Sequence, residues 1–402
     1  MSVLVVGGGF AGLAAAWALE RRGREVTLCF RTDGASLLYS GALDRTDWAG
    51  PPDPRPLSRD AEAFLAALGA FAEPTVSGGR LATGAGVVRP ARCHDRALLD
   101  LEPLRGRRID VVDFRRPGWD AAALARAWSV SNWARVTRSE FRPLQLRPAE
   151  LTVLQRLEDN ELAACCDDPA WAGALGDALR GAGDSESPLL LGPWLGLVPG
   201  SVERVRERAR RPLGETLSGP GGAAGFRFEA AREAWLSRGD IRVERGEVLS
   251  LRRLESGVEA RLKADGENQE RTLPRRFSEV ILAVGGVTGG GIQFLSGPGQ
   301  RGRSFSLSVD APVQLRLNGR EVALESGALG ADLQSLGLGA LNDVGLFVDE
   351  RQQASAPDLF AAGDVVADRP RTALEAVYAG IAAARGACRV AASESPQSTR
   401  PA

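Results

Sequence analysis

The chain has 402 residues, 44% of them hydrophobic and 25% charged, so it can bury a substantial core and is not a disordered chain. With 50 Lys and Arg against 51 Asp and Glu, it lacks the net positive charge that draws proteins to nucleic acid. One histidine excludes a histidine-based metal centre, and the five cysteines include no C-x-x-C pair that would bind an iron–sulfur cluster or zinc.

The predicted elements begin with a βαβ unit. An apolar run at 3–6 is typical of a buried parallel strand, residues 11–22 predict a helix that Gly23 ends, and 25–30 predict the second strand. The later apolar patterns predict helices at 60–72, 119–128, 148–158, 171–179, 202–211, 222–238 and 373–391. They predict strands at 109–114, 189–191, 280–284, 346–348 and 359–362, antiparallel strands at 241–246, 247–254 and 257–263, and loops at 50–56, 181–188 and 285–302.

Three glycines form a G-x-G-x-x-G motif directly after the first strand and at the start of the first helix. Gly7 permits the tight turn, Gly9 lets the backbone approach a pyrophosphate, and Gly12 lets the helix pack closely on the strand. The helix N-terminus supplies amide donors to the phosphates. The motif therefore predicts a dinucleotide site, which would take either a nicotinamide or a flavin nucleotide.

Two later segments resemble motifs of the two-dinucleotide-domain flavoproteins. Residues 356–364, which end in Gly363 and Asp364, resemble the second flavin motif, whose Asp binds the ribityl chain of FAD in that family. Residues 281–286, with Ala283 and Gly285, resemble the family's Ala-Thr-Gly segment. The resemblance implies FAD as the cofactor.

The adenosine end departs from the usual pattern. A carboxylate normally ends the second strand and holds the adenosine ribose, but here that strand continues into Phe30 and Arg31. Asp33 would substitute only if its loop folds back. FMN therefore remains an alternative to FAD.

The missing carboxylate is also a feature of the B subunit of anaerobic glycerol-3-phosphate dehydrogenase, which this sequence resembles along nearly its whole length. The family's Ser-Gly-Ser-Leu-Asp segment is similar to residues 39–44, which include Ser40 and Gly41 and which the resemblance places among the cofactor-binding residues. Further similar segments lie at 83–89, 111–114, 196–197 and 216–227.

This resemblance implies a flavoprotein subunit that oxidises sn-glycerol 3-phosphate to dihydroxyacetone phosphate. The flavin would take a hydride from C2 while a base takes the hydroxyl proton. The implied partners are a flavoprotein of the A type and a membrane-anchoring iron–sulfur protein of the C type, which passes the electrons to quinone. We expect no membrane span in the chain itself and no nucleic-acid partner. The expected location is the cytoplasm, or the inner face of the plasma membrane through the partner.

Three residues are candidates for the substrate chemistry. A forked guanidinium suits a phosphate group, which favours Arg227, near the start of a predicted helix, and then Arg89. As a substrate ligand, Arg227 would be dispensable for folding. His94 is the only side chain with an ordinary pKa near neutrality, and it lies in a predicted exposed loop. The alternatives are surface or ion-paired arginines and an exposed loop histidine without a catalytic role.

The predicted fold is α/β, with a Rossmann-like FAD-binding domain built on a parallel sheet and an inserted α+β substrate or cap domain. The segment at 372–380 has fewer glycines than the family's stretch beside the flavin ring. Two other functions therefore stay open: a non-catalytic flavin-binding assembly or electron-relay subunit, and a flavin dehydrogenase of another small substrate. The predicted domains are 1–80 with 214–287 and 340–392 for FAD, 81–213 with 288–339 for substrate, and a disordered tail at 393–402.

Overall fold

A computed structural model describes residues 2–31, 34–45, 55–75, 78–146, 156–265, 272, 274–296, 303–317, 320–321 and 344–393. Most of the predicted loop at 50–56, Asp33, most of the predicted helix at 148–158 and nearly all of the predicted tail lie outside these residues. The chain divides into two compact units. The first unit comprises 1–36, 45–50 and 236–402, and the second comprises 37–44 and 51–235.

The described helices, in chain order, are α1 (Phe10–Glu20), α2 (Arg59–Leu68), α3 (Ala121–Ser129), α4 (Asn132–Thr137), α5 (Asp159–Cys165), α6 (Pro169–Arg180), α7 (Ser201–Ala209), α8 (Ala223–Leu236) and α9 (Ala373–Ser393). The described strands are β1 (Val3–Val6), β2 (Val26–Phe30), β3 (Ala42–Leu43), β4 (Gly79–Ala82), β5 (Val88–Ala91), β6 (Cys93–His94), β7 (Arg108–Asp113), β8 (Glu140–Gln145), β9 (Leu189–Leu191), β10 (Leu213–Glu215), β11 (Arg242–Arg253), β12 (Val258–Ala264), β13 (Pro274–Phe277), β14 (Glu279–Leu282), β15 (Ile292–Ser296), β16 (Arg303–Leu307), β17 (Leu315–Leu317), β18 (Arg320–Glu321), β19 (Gly345–Leu346) and β20 (Leu359–Ala361).

The first unit is built on a seven-stranded sheet in the order β13-β12-β11-β2-β1-β14-β20. The five strands from β11 to β20 run parallel, and β12 and β13 add an antiparallel edge. All four residues of β1 are buried, as expected for a central parallel strand covered on both faces. The predicted α/β class, with a Rossmann-like parallel sheet, is confirmed.

Helices α1 and α9 pack closely within the first unit. Every residue of α1 from Phe10 to Leu19 is buried. A Cβ on Gly380 of α9 would lie 2.2 Å from the carbonyl oxygen of Ala11, so only glycine permits this approach. The contact holds the start of α1, which carries the glycine motif, in a fixed position.

The second unit has a four-stranded sheet of its own, in the order β10-β9-β7-β8. All of its strand pairs are parallel, an arrangement that no pattern predicted for this part of the chain. Its core holds an aromatic cluster in which the rings of Trp119 and Trp194 lie 5.1 Å apart, edge to face.

Three predictions about chain organisation differ from the structure. The runs at 241–246 and 247–254 form the single strand β11, since the chain passes a bulge between Val248 and Ser250 without turning. Part of the predicted loop at 285–302 is strand β15, which pairs with β16. Residues 37–44, 51–80 and 214–235 fall in the second unit, and 288–339 in the first, unlike the predicted domains.

Candidate functional site

The glycine motif forms a turn in which the backbone leaves no room for side chains. Gly7 has φ +118°, and a Cβ there would lie 2.1 Å from the carbonyl oxygen of Ala283. A Cβ on Gly12 would lie 1.8 Å from the carbonyl oxygen of Gly7. Strand β1, helix α1 and the segment after β14 therefore approach one another at their backbones, which is the role that the motif predicts for these glycines.

Ser36 completes this turn, although no sequence motif marks it. The backbone N–H of Phe10, in the first turn of α1, donates a hydrogen bond to Ser36 Oγ at 3.2 Å. A Cβ on Gly9 would lie 2.7 Å from the same oxygen. A hydroxyl at a helix N-terminus can donate to a phosphate that the helix amides also bind. The glycine turn and Ser36 together fit the phosphate of a nucleotide.

The second flavin motif lies at the same edge of the sheet. The N–H of Ala283 donates to the Val6 carbonyl at 2.8 Å, and the N–H of Ala362 donates to the Leu282 carbonyl at 2.9 Å. The carboxyl ends of β1, β14 and β20 therefore stand side by side. Gly363 has φ +76°, and a Cβ there would lie 2.7 Å from the Cβ of Ala11. The structure thus brings Gly7, Gly9, Gly12, Ala283, Gly285, Gly363 and Asp364 to one edge of the sheet.

Asp364 lies in a short 3₁₀ helix, Gly363–Val365, directly after β20. Burial raises the pKa of its carboxyl group, and the positive charge of Arg371 opposes that shift. Arg371 donates to the Val344 carbonyl at 2.7 Å, and its Nη1 lies 1.8 Å from where a Cβ of Gly286 would stand. Asp364 is therefore a partly buried acceptor at the sheet edge, beside an arginine that no motif marked.

The adenosine end has an aromatic ring where a carboxylate would be expected. A Cβ on Gly8 would lie 2.5 Å from the ring of Phe30, the last residue of β2. The guanidinium of Arg245 lies over that ring at 4.2 Å. Arg31 forms an exposed ion pair with Glu247 of β11. The residues at the end of β2 therefore lack the usual acceptor for the ribose hydroxyls.

The other candidate residues lie together in the second unit. Ala42 pairs with His94 across β3 and β6, and the N–H of Ser218 donates to the Ser40 carbonyl at 3.0 Å. Arg89 forms an ion pair with Asp44, close to the end of β3. Ser40 and Gly41 therefore lie in the neighbourhood of His94 and Arg89.

Arg227 lies on α8 and is 3% exposed, and each of its three side-chain nitrogens donates one hydrogen bond inside the protein. Nε donates to Asp95 at 2.8 Å, Nη2 to Glu215 at 2.7 Å, and Nη1 to the Gly196 carbonyl at 2.6 Å. Burial opposes its charge, but the two carboxylates outweigh that effect and raise the pKa of the guanidinium. The predicted role as a direct phosphate ligand does not fit this geometry, because two buried carboxylates already neutralise the guanidinium charge.

Glu215, at the end of β10, is the most buried member of this network. Its side chain is 0% exposed, and its second oxygen accepts a hydrogen bond from the N–H of Leu195. Burial raises the pKa of Glu215 to about 7, although Arg227 and the Leu195 amide act to lower it. The Asp95–Arg227–Glu215 network therefore contains a carboxyl group that titrates near neutral pH.

His94 is not the exposed loop residue that the sequence predicted. It lies in β6 and is 9% exposed. Its Nδ1 lies 2.9 Å from the Asp95 carbonyl oxygen, to which only a protonated nitrogen can donate. Its Nε2 lies 4.0 Å from a carboxylate oxygen of Asp100. Pairing of β6 with β3 buries the ring, which explains the error.

Residues 2–175 match the model of a family described as FAD dependent oxidoreductase. No curated protein matches the chain. Similar solved structures include the GidA-related protein of Thermus thermophilus, with 11% identity, TM-score 0.33 and coverage of 97% of this chain and 98% of that one. Another is a thioredoxin reductase from Gloeobacter violaceus, with 13% identity, TM-score 0.24 and coverage of 100% and 96%. The Mycobacterium smegmatis Sdh1 complex in the apo form has 12% identity, TM-score 0.37 and coverage of 100% and 69%.

These three structures have low identity and low TM-scores, so none of them assigns a substrate. Among the described helices, none combines the length and the apolar character needed to cross a membrane. The family match and the parallel sheet of the first unit agree with each other. Residues 2–175 therefore have the sequence features of FAD dependent oxidoreductases.

Proposed function

We propose that this chain is a flavin-dependent oxidoreductase whose cofactor, FAD, binds along the carboxyl edge of the seven-stranded sheet. The observation that carries the proposal is the meeting of the glycine turn, the segment after β14 and the Gly363–Asp364 pair at one edge. Strand β1 lies between β2 and β14 there, which is the point where the strand order reverses. Open α/β sheets bind their ligands at such a point. FMN is the alternative cofactor, since the adenosine end has Phe30 in place of a carboxylate.

The residues at this edge would each perform a defined task. When bound, the flavin supplies the hydride acceptor. The turn at Gly7 and Gly9 would let the backbone approach the phosphates, and the N-terminus of α1 would oppose their charge. The Ser36 hydroxyl would donate to a phosphate oxygen. The Asp364 carboxylate would accept a hydrogen bond from a ribityl hydroxyl.

For the substrate we propose sn-glycerol 3-phosphate, oxidised to dihydroxyacetone phosphate. Support comes from the resemblance to the B subunit of anaerobic glycerol-3-phosphate dehydrogenase, whose motifs occur in order along the chain. The same resemblance supports a flavoprotein of the A type and an iron–sulfur protein of the C type as partners. The iron–sulfur partner would then hold the chain at the inner face of the plasma membrane and carry the electrons to quinone.

A second candidate function has its own support. Arg227 and Arg89 are both paired with carboxylates of the same unit, which leaves the proposed phosphate substrate without the two arginines predicted for it. This observation favours a flavin-binding assembly or electron-relay subunit, or a flavin dehydrogenase of another small substrate. In either case the cofactor edge would keep its role.

The purified full-length chain tests both proposals. Visible flavin absorption bands, with the released cofactor identified by chromatography, would establish the cofactor and distinguish FAD from FMN. A chain that purifies colourless and does not take up added flavin would overturn the flavin proposal. Anaerobic addition of sn-glycerol 3-phosphate, to the chain and to its complex with the two partners, then tests the substrate. Bleaching of the flavin supports that substrate, and a flavin that stays oxidised in both samples favours the second candidate.

A further inference from the structure

A row of aromatic rings crosses the core of the second unit, each ring in contact with the next. From Trp194 the row passes through Trp119, Trp128 and Phe141 to Trp133, with successive ring centroids 5.1, 6.3, 5.6 and 6.3 Å apart. All five residues, which we call the aromatic row, are at most 9% exposed. Indoles are among the side chains that lose an electron most easily, and here four of them lie in sequence with only Phe141 between two of them.

The two end indoles each donate a hydrogen bond to a carboxylate. Trp194 Nε1 donates to Asp159 at 2.9 Å, and Trp133 Nε1 donates to Glu102 at 3.2 Å. Packing alone requires some acceptor for each buried N–H, and a backbone carbonyl would be sufficient. A carboxylate can also accept the proton, because loss of one electron makes the indole N–H a much stronger acid. Each end of the row can therefore hold an oxidising equivalent as a neutral radical.

The two middle indoles have no base that could accept their protons. Trp119 Nε1 donates to the Val112 carbonyl at 2.9 Å, and a carbonyl oxygen is too weak a base. Trp128 is 0% exposed, and its Nε1 has no hydrogen-bond partner among the described residues. An oxidised ring in the middle would keep its positive charge and would readily regain an electron from a neighbour. The middle of the row can therefore pass an oxidising equivalent on but not retain it.

The Trp194 end retains an oxidising equivalent better than the Trp133 end. Its hydrogen bond is the shorter one, and the side chain of Asp159 is 60% exposed against 16% for Glu102. A proton on Asp159 can therefore leave to solvent. The guanidinium of Arg116 lies 5.1 Å from the ring centroid of Trp194, and its charge disfavours a positive charge on that ring. Loss of an electron from Trp194 is thus coupled to loss of its proton.

We propose that the aromatic row carries one-electron oxidising equivalents from Trp133 to Trp194, where Asp159 accepts the indole proton. An oxygen-centred radical at the surface near α4 takes one electron from Trp133 and is reduced. The electron vacancy then moves along the row by single-electron transfers, and Asp159 passes the proton of Trp194 to solvent. A thiol in solution returns one electron and one proton to the neutral indolyl radical and becomes a thiyl radical. This function goes beyond the proposed one and does not require a bound flavin.

A photosensitiser fixed at the Trp133 end of the full-length chain tests the proposal. The only histidine, His94, is 9% exposed, so Val136→His creates a single accessible site for a ruthenium bipyridyl complex. Val136 is 72% exposed and lies three residues after Trp133 on α4. A laser flash with a soluble quencher then forms a one-electron oxidant beside Trp133. Transient absorption distinguishes the cationic from the neutral indolyl radical, and peptide mass spectrometry of samples flashed in air locates the oxidised tryptophan.

The labelled Val136→His chain should form a neutral indolyl radical and should carry oxidation products at Trp194. Adding Trp128→Phe interrupts the row, so most of the product at Trp194 should be lost while oxidation of Trp133 remains. Trp171→Phe is the matched control, because Trp171 lies on α6 in the same unit but outside the aromatic row. Its replacement should change neither the radical nor the site of oxidation.

Asp159→Asn tests the proton acceptor separately. An amide oxygen can accept the hydrogen bond of Trp194 but is too weak a base to take its proton, so the radical should show the absorption spectrum of the cation and decay faster. A purely structural role of Asp159 would not change the form of the radical.

The proposal is overturned if the labelled parent forms no product at Trp194, if Trp128→Phe forms as much of it as the parent, or if Asp159→Asn gives the same neutral radical. Trp119→Phe interrupts the row at a second ring and replaces Trp128→Phe if circular dichroism shows that the latter does not fold. None of these measurements needs a flavin, so a colourless chain refutes the flavin proposal and leaves this test intact.

Discussion

Replacing Arg227 with methionine should destabilise the second unit strongly, rather than merely impair substrate handling. The substitution removes ion pairs of 2.8 and 2.7 Å to Asp95 and Glu215, and a 2.6 Å hydrogen bond to the Gly196 carbonyl. Both carboxylates are at most 3% exposed. Removal of one partner from a buried ion pair costs about 3–5 kcal/mol. Two carboxylates lose their partner here, so we expect a value near the upper end at pH 8.

The assay is urea denaturation followed by tryptophan fluorescence. Six of the eight tryptophans lie in the second unit, so the signal reports mainly on the unfolding of that unit. Arg208→Ala serves as the control, because the ion pair of Arg208 with Asp177 is exposed and should contribute less than about 1 kcal/mol. Arg227→Met combined with Glu215→Gln should recover part of the loss, since one unpaired buried charge is removed.

The pH dependence follows from Glu215. Burial raises its pKa to about 7 in the folded protein, above the ordinary value of 4.5, so its ionisation costs stability as the pH rises through that interval. Loss of Arg227 removes a charge that lowers this pKa, and protonation should then relieve the defect. The destabilisation by Arg227→Met should therefore be smaller at pH 6 than at pH 8. A free energy of unfolding within about 1 kcal/mol of wild type at pH 8 would refute the assigned structural role.

Three further predictions concern the carboxyl edge of the seven-stranded sheet, where we propose that the flavin binds. Gly9→Val should abolish flavin binding, because its side chain would occupy the space where the backbone must approach the pyrophosphate, and retention of full flavin absorbance would contradict this. Asp364→Ala should weaken flavin affinity about ten- to a hundredfold through loss of a charge-assisted hydrogen bond; an unchanged dissociation constant in a titration of the apo variant would argue against it. Phe30→Glu should raise the affinity for FAD relative to FMN by supplying a ribose acceptor, and an unchanged ratio in competitive titrations would count against the interpretation of the adenosine end.

The carboxyl edge of the seven-stranded sheet was largely predictable from sequence, because the residues that shape it are close together in the chain. The spacing of Gly7, Gly9 and Gly12 specifies backbone positions within one turn, and the apolar runs around them specify parallel strands. The structure places the predicted glycines at close backbone approaches. Ser36 and Arg371 were missed because their contacts depend on how separate segments meet, and no motif marks either residue.

The substrate chemistry was less predictable because residue type shows what a side chain can bind and not what it does bind. Arg227 finds Asp95 at a separation of 132 positions in the chain, which no local pattern reveals. His94 was predicted to lie in a loop, yet a two-residue strand pairing buries it. The glycines of 285–302 predicted a loop, but residues 292–296 form strand β15 because they pair with β16.

Because two buried carboxylates bind Arg227, a substrate anion should be sought at another place in this protein. The charge of the Arg227 guanidinium is already neutralised by two buried carboxylates. A phosphate group would therefore gain little attraction from it. A binding site is better recognised by polar atoms that the protein leaves unmatched. The Arg227 network joins helix α8 to Asp95 and to Glu215 at the end of β10, so its role in the second unit is structural.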